Sequence, residues 1–165
     1  MREIFVEKFG GASVNSATSI KNVISILQLD EKARVVVVSA MGKTTNSLEK
    51  IVDLWYRFTR LNQEEFDFIK AYHISIVKEL FENTSALDIA LSMVEEIFSD
   101  LKQNLLSLNP KDYDFLYDSI VSYGEKISTA ILSLYMTSLD VGHRLIAAQE
   151  GIKTGDSYRG AQGDW

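Results

Sequence analysis

Cysteine is absent from this 165-residue chain, which excludes disulfide staples and thiolate metal sites. Histidine occurs only at His73 and His143, isolated and without metal-ligand spacing, so neither a metal cluster nor a Ser/His/Asp or Cys/His catalytic set can be assembled. Positive charge is scarce. Seventeen Lys and Arg stand against 23 Asp and Glu, a net charge of -6, which argues against a broad footprint for nucleic acid or an anionic membrane. No apolar run approaches the ~20 residues needed to cross a bilayer. The charged start Met1-Arg2-Glu3, followed by only a short apolar stretch, is not a signal peptide. The expectation is a soluble, cytoplasmic chain with a small-molecule partner, no nucleic acid and no membrane. With 46% hydrophobic residues it is long enough for one sizeable core, hence one domain or part of one.

Ile4-Phe5-Val6 is short, apolar and β-prone and leads to Gly10-Gly11, so it reads as a strand feeding a tight turn. Ile20, Val23, Ile24 and Leu27 then recur at helical spacing, with Ser16, Thr18 and Ser19 as candidate N-caps. Val35-Val36-Val37-Val38 is a continuous β-branched run, the pattern of a strand covered on both faces in a parallel sheet. Three helix faces follow. Leu48, Ile51, Val52, Trp55 and Phe58 mark the first, and Phe66, Ile69, Tyr72, His73, Ile76, Val77 and Leu80 the second. Leu87, Leu91, Val94, Ile97, Phe98, Leu101 and Leu105 mark the third, which ends at Asn109-Pro110, the chain's single proline. A long helix is predicted from about Phe115 to Leu139, and Arg144-Leu145-Ile146-Ala147-Ala148 reads as a further strand. Strands alternating with helices imply an α/β sheet with helices on its faces, whose ligands sit at the carboxyl ends of the strands.

Two loops fall at such ends. Gly10 and Gly11 let the backbone bring N–H groups close to a phosphate, and Lys8 supplies a point charge beside them, which is what positioning and neutralising a transferring phosphoryl group requires. A plain Gly-Gly turn is the alternative. The second loop, Ser39 to Asn46, contains Gly-Lys-Thr but is not a P-loop, because the position where that motif needs its first glycine is Val37. What remains is hydroxyl-rich: Ser39, Thr44, Thr45 and Asn46 suit a carboxylate or phosphate, or merely cap the following helix. In a third segment Glu125 follows Tyr123-Gly124 among Val121, Ile127, Ala130 and Ile131. Gly124 inside a helix costs about 1 kcal/mol relative to Ala unless close packing or a ligand needs it. A buried or half-buried carboxylate there wants a cation, and a substrate ammonium is a candidate.

Taken in order, Lys8-Phe9-Gly10-Gly11 with Ser13-Val14, the stretch from Val36 to Asn46, the segment from Ser122 to Ser128 and the tail from Ile152 through Thr154 to Trp165 resemble aspartate kinases over essentially the whole chain. The resemblance implies a three-layer α/β/α amino acid kinase (carbamate kinase-like) fold with a mostly parallel sheet. It implies transfer of the ATP γ-phosphoryl group to the β-carboxylate of L-aspartate, with Mg2+ entering through the nucleotide and no separate protein metal site. Carried over by position, Lys8 and the Gly10 and Gly11 amides hold the transferring group, with Ser13 in the same loop and Ser39 assisting. Thr45 binds aspartate and Glu125 takes its α-ammonium. Ala12 stands where the family usually has Thr, removing a hydroxyl near the phosphate loop. Such kinases exceed 200 residues in the catalytic domain and carry ACT-type regulatory domains beyond it. Residues 1–165 therefore correspond to the N-terminal, amino-acid-substrate half of that domain, truncated before its ATP-binding half, and self-association, as dimers, is expected. Another amino acid kinase, acting on glutamate, carbamate or a nucleotide, and a non-catalytic amino-acid-binding module are the alternatives.

Overall fold

The computed structural model describes residues 4–29, 32–82, 84–154, 158–160 and 163–164. The apolar start forms β1 (Ile4–Phe9), which runs into a 3-10 turn (Gly11–Val14) and then α1 (Ala17–Leu27). Of the three N-cap candidates it is Ser16 that caps α1, its hydroxyl accepting from the Ser19 amide at 3.1 Å. β2 (Ala33–Val38) returns parallel to β1, pairing Val6 with Val35 and Phe9 with Val38, and completes a β-α-β unit.

The valine run is a strand, but it is not covered on both faces. Phe9 and Val36 pack against the hydrophobic core and Val38 lies in it, whereas Ile4, Val6, Val35 and Val37 are 62, 71, 51 and 46% exposed on the opposite face. Among the described residues helices lie only against the first face, so burial follows the period of two that one-sided covering imposes. On the covered face Arg34 donates to Glu7 at 3.0 Å and to the Leu27 carbonyl at 3.3 Å, joining both strands to the end of α1.

The middle of the chain is helical: α2 (Thr44–Phe58), α3 (Gln63–Leu80) and α4 (Thr84–Ser107). Their predicted apolar faces turn inward, with Tyr72, Leu87 and Leu91 half-buried at the margin of the core, apart from Phe58, which is 69% exposed at the end of α2 where Thr59 turns left-handed with φ 49°. Phe66 of α3 meets Phe98 of α4 edge to face, their centroids 5.5 Å apart. No side chain caps α2, whose N-cap is Lys43, so the capping reading of Thr44, Thr45 and Asn46 does not hold.

The long helix expected after Phe115 is two helices, α5 (Tyr113–Val121) and α6 (Tyr123–Ser138), meeting at Ser122. An apolar period alone does not reveal a one-residue break in the helix. Residues 144–147 form no strand; they run exposed to α7 (Ala148–Gly151). A β-prone sequence becomes a strand only when a neighbour completes its hydrogen bonds, and none among the described residues does so here. β3 (Lys153–Thr154) and β4 (Gly163–Asp164) form a separate antiparallel pair. Residues 155–157, 161, 162 and 165 of the tail that contributes to the resemblance lie outside the described residues. Among those described, no helix is long and apolar enough to cross a membrane.

Candidate active site

At the carboxyl end of the parallel pair the two loops are laced together by their backbones. The Ser39 amide donates to the Phe9 carbonyl at 3.1 Å and the Gly42 amide to the Gly11 carbonyl at 3.0 Å. Gly11 is where the chains come closest: a Cβ there would stand 2.6 Å from the Ala40 carbonyl oxygen and 3.1 Å from that of Gly42. Gly10 is not so confined. Its nearest neighbour would be the Lys8 ammonium, at 3.6 Å, so the Lys8 side chain folds back over the glycine turn and brings its charge to the loop. Among the described residues no carboxylate lies within ion-pair distance of Lys8. Ser13 is held in the 3-10 turn by its amide, which donates to the Gly10 carbonyl at 2.9 Å. With Phe9, Ala12, Ser19, Asn22, Val23 and Ile26 it lines a groove of about 240 Å3.

α6 brings the third segment to the second loop. Glu125 Oε1 accepts from the Ala40 amide at 3.3 Å, and the buried Ser128 hydroxyl donates to the Ser39 carbonyl at 2.9 Å. Gly124 faces the loop so closely that its Cβ would lie 2.7 Å from the Ala40 Cβ; close packing is the reason a glycine stands in this helix. Glu125 itself is exposed, contrary to the buried or half-buried carboxylate expected from its apolar neighbours. Of those neighbours, Ile127 and Ile131 are buried on another face of α6 and Val121 ends α5 before the break at Ser122, leaving the carboxylate on the surface beside the loop.

Thr45 is half-buried on the first turn of α2, next to the buried Thr44. The Thr44 hydroxyl donates to the Met41 carbonyl at 2.7 Å and lies 3.4 Å from His73 Nε2. His73 is fully buried, its Nδ1 2.7 Å from the Ile69 carbonyl, and desolvation lowers its pKa to about 4. A carbonyl can only accept, so Nδ1 carries the proton; the Thr44 proton goes to Met41, so Nε2 and the Thr44 oxygen stand in contact without a hydrogen bond between them. The sequence placed Tyr72 and His73 on a core face and not at the site. Their signal was faint: two polar-tipped residues side by side on an apolar helix face. His143, by contrast, is exposed and bonds to Ser133, away from the loops. Among the described residues no group of three or more His, Cys, Asp or Glu side chains is placed to hold a metal ion.

Lys8, Gly10, Gly11, Ser13, Ser39, Thr45 and Glu125, spread over most of the sequence, thus sit on three segments that converge at one edge of the sheet. A glycine turn with a cation, a hydroxyl-bearing helix start and an accessible carboxylate meet at the strand ends of an α/β domain, where ligands of such sheets sit. The chain belongs to the amino acid kinase family, whose sequence model matches residues 3–162. It is 38% identical to aspartokinase 1 of the chloroplast of Arabidopsis thaliana over 160 residues, 93% of this chain and 27% of the relative. With the lysine-sensitive aspartokinase 3 of Escherichia coli K12 it shares 28% identity over 99% of its own length and 35% of the relative. The chain therefore spans about a third or less of the curated relatives it matches. Among solved structures, E. coli aspartokinase III with lysine and aspartate superposes with a TM-score of 0.84 at 24% identity, a likeness of fold. The same enzyme with aspartate and ADP superposes with a TM-score of 0.77 at 26% identity; each covers 98% of this chain and 35% of the longer one.

Proposed function

We propose that this chain is the amino-acid-substrate half of an aspartate kinase, an enzyme that moves the ATP γ-phosphoryl group to the β-carboxylate of L-aspartate. One observation carries the reading: Glu125 of α6 closes on the Ala40 amide of a loop that is itself bonded to the Gly10-Gly11 turn, so substrate and phosphate segments form one site. The aspartokinase relatives at 38 and 28% identity support the choice of aspartate over glutamate, carbamate or a nucleotide as acceptor.

In this reading the α-ammonium of aspartate meets Glu125, while Thr45 holds the substrate toward Lys8 and Ser39 assists at the phosphoryl group. Lys8 and the amides of the glycine turn then hold the phosphoryl oxygens as the β-carboxylate attacks phosphorus and ADP leaves. Their charge offsets what spreads over those oxygens. Mg2+ accompanies the nucleotide and neutralises its phosphates. The protein's location in this reading is the cytoplasm.

The contacts to adenine and ribose lie outside residues 1–165 in this proposal, so the chain alone binds L-aspartate weakly and makes no aspartyl phosphate. The assay is trapping of the acyl phosphate by hydroxylamine, with ATP, Mg2+ and L-aspartate. A protein joining this chain to its nucleotide-binding half yields the hydroxamate with aspartate and not with glutamate, and the 165-residue chain yields none. Product from the isolated chain would refute the division of labour, and product with glutamate alone would refute the substrate. The bare sheet face formed by Ile4, Val6, Val35 and Val37 further implies that the isolated chain pairs with a second copy. Light scattering across a concentration series is expected to show dimers, and a strictly monomeric species at every concentration would count against pairing.

A further inference from the structure

Helix α3 contributes none of the seven residues assigned above, yet it touches both loops through two adjacent side chains. The Tyr72 hydroxyl donates to the Asn15 carbonyl at 2.7 Å, just where the 3-10 turn hands over to α1. Gly42 of the second loop takes φ 54° directly under that hydroxyl, and a Cβ on Gly42 would lie 2.7 Å from the Tyr72 oxygen and 3.6 Å from the Asn15 Cβ. Asn15 is itself braced, its Oδ1 accepting from the Ser19 hydroxyl at 2.9 Å. One residue further along α3, His73 faces Thr44, the neighbour of Thr45. The rings of Tyr72 and His73 meet edge to face with centroids 5.1 Å apart, so the two grips are mechanically joined.

We propose that Tyr72 is a positioning residue that holds the glycine turn and the Ser39–Asn46 loop in register, through the contact its hydroxyl makes with Asn15 and Gly42. The inference rests on the reading of these loops as the phosphate and aspartate loops. Its physical content is simple. The Ser39 to Phe9 and Gly42 to Gly11 backbone bonds tie the loops where they leave the strands; the Tyr72 hydroxyl adds a further point at Asn15, from an independent rigid element, and restrains the motion that those two bonds leave. Half-burial also raises the phenol's pKa, so the hydroxyl remains a donor across physiological pH. Tyr72 touches no reacting atom. Its role is to keep Lys8 and Thr45 at a constant separation.

Tyr72→Phe in this chain deletes the hydroxyl and keeps the ring, and three readouts decide the proposal. Hydrogen exchange at the Gly42 and Ser13 amides is expected to rise about fivefold, the worth of one hydrogen bond, with core amides of α4 such as Phe98 and Leu101 unchanged. L-Aspartate binding, followed by backbone NMR shifts, is expected to weaken by a similar factor. Gly42→Ala is expected to speed exchange less in the Tyr72→Phe background than in the wild type, because the clash it creates is with the deleted oxygen. A purely structural tyrosine would loosen loop and α4 amides alike and leave aspartate affinity unchanged, which would overturn the proposal. Wild-type chain that does not bind L-aspartate would overturn the aspartate reading and the positioning role with it; binding by the wild type with an unchanged Tyr72→Phe affinity would overturn the positioning role alone.

Discussion

Gly11→Ala is expected to destabilise the chain by about 3 kcal/mol, while Gly10→Ala, one residue away, leaves stability within about 0.5 kcal/mol of the wild type. The new methyl at position 11 would sit 2.6 Å from the Ala40 carbonyl oxygen and 3.1 Å from the Gly42 carbonyl oxygen. Both obstacles are backbone atoms, and backbone cannot swing aside as a side-chain tip can. Relief requires the β2–α2 loop to move away from the glycine turn, which stretches the Gly42 to Gly11 hydrogen bond and the Ala40 to Glu125 contact behind it. At Gly10 the backbone has φ -74° and ψ 169°, open to any residue, and the nearest neighbour is the flexible end of Lys8 at 3.6 Å. Urea unfolding of the two variants beside the wild type tests this. Equal stabilities for the two variants would mean that the loops do not approach as closely as the geometry states.

The stability of the chain is expected to fall by about 2 kcal/mol between neutral pH and about pH 5, and His73 is the cause. Buried beside Phe98 and the Tyr72 ring, its imidazole has a pKa lowered from 6.5 to about 4 by desolvation, outweighing the Ile69 carbonyl, which favours the charged form. In the unfolded chain the same ring protonates near its ordinary value. Between the two pKa values the unfolded state therefore binds more protons than the folded one, so the His73 contribution is complete above about pH 6.5 and is lost as pH falls toward 4. Glu65 and Asp100, whose pKa values are lowered chiefly by the Ser47 hydroxyl and by Lys126, add to acid sensitivity only below the ordinary carboxylate range. The interval from about pH 6.5 to about 5 thus reports on histidine. Denaturant unfolding at several pH values is expected to show the slope in the wild type and its loss in His73→Gln. A slope that survives the substitution would place its origin elsewhere.

Much of the fold was readable without coordinates. The period-3.6 faces of α1, α3 and α4 predicted their buried residues, and the Gly-Gly pair and the hydroxyl run marked the strand ends where the loops now meet. Those features are local: they depend on side-chain spacing along one element and on backbone freedom within one turn. The misreadings share the opposite character. Val35 and Val37 have the sequence of a doubly covered strand but are exposed, because covering is supplied by other elements. Residues 144–147 have the sequence of a strand and lack a neighbour to pair with. Glu125 has apolar neighbours in sequence and solvent in space, because the helical turn carries Ile127 and Ile131 to a different face from Glu125.

The amino-acid sequence by itself determined the β-α-β start, the helical middle, the absence of thiol chemistry, and the three segments from which a site could be built. Only the tertiary structure decided that Gly11 and not Gly10 is sterically required, that Gly124 exists for contact with Ala40, and that Tyr72 and His73 belong to the loops' support. The reason is one of range. Propensity, periodicity and turn chemistry act over a few residues and are written into any window of the chain, whereas the contacts from Asn15 to Tyr72, Thr44 to His73 and Ala40 to Glu125 form only after helices far apart in sequence have packed.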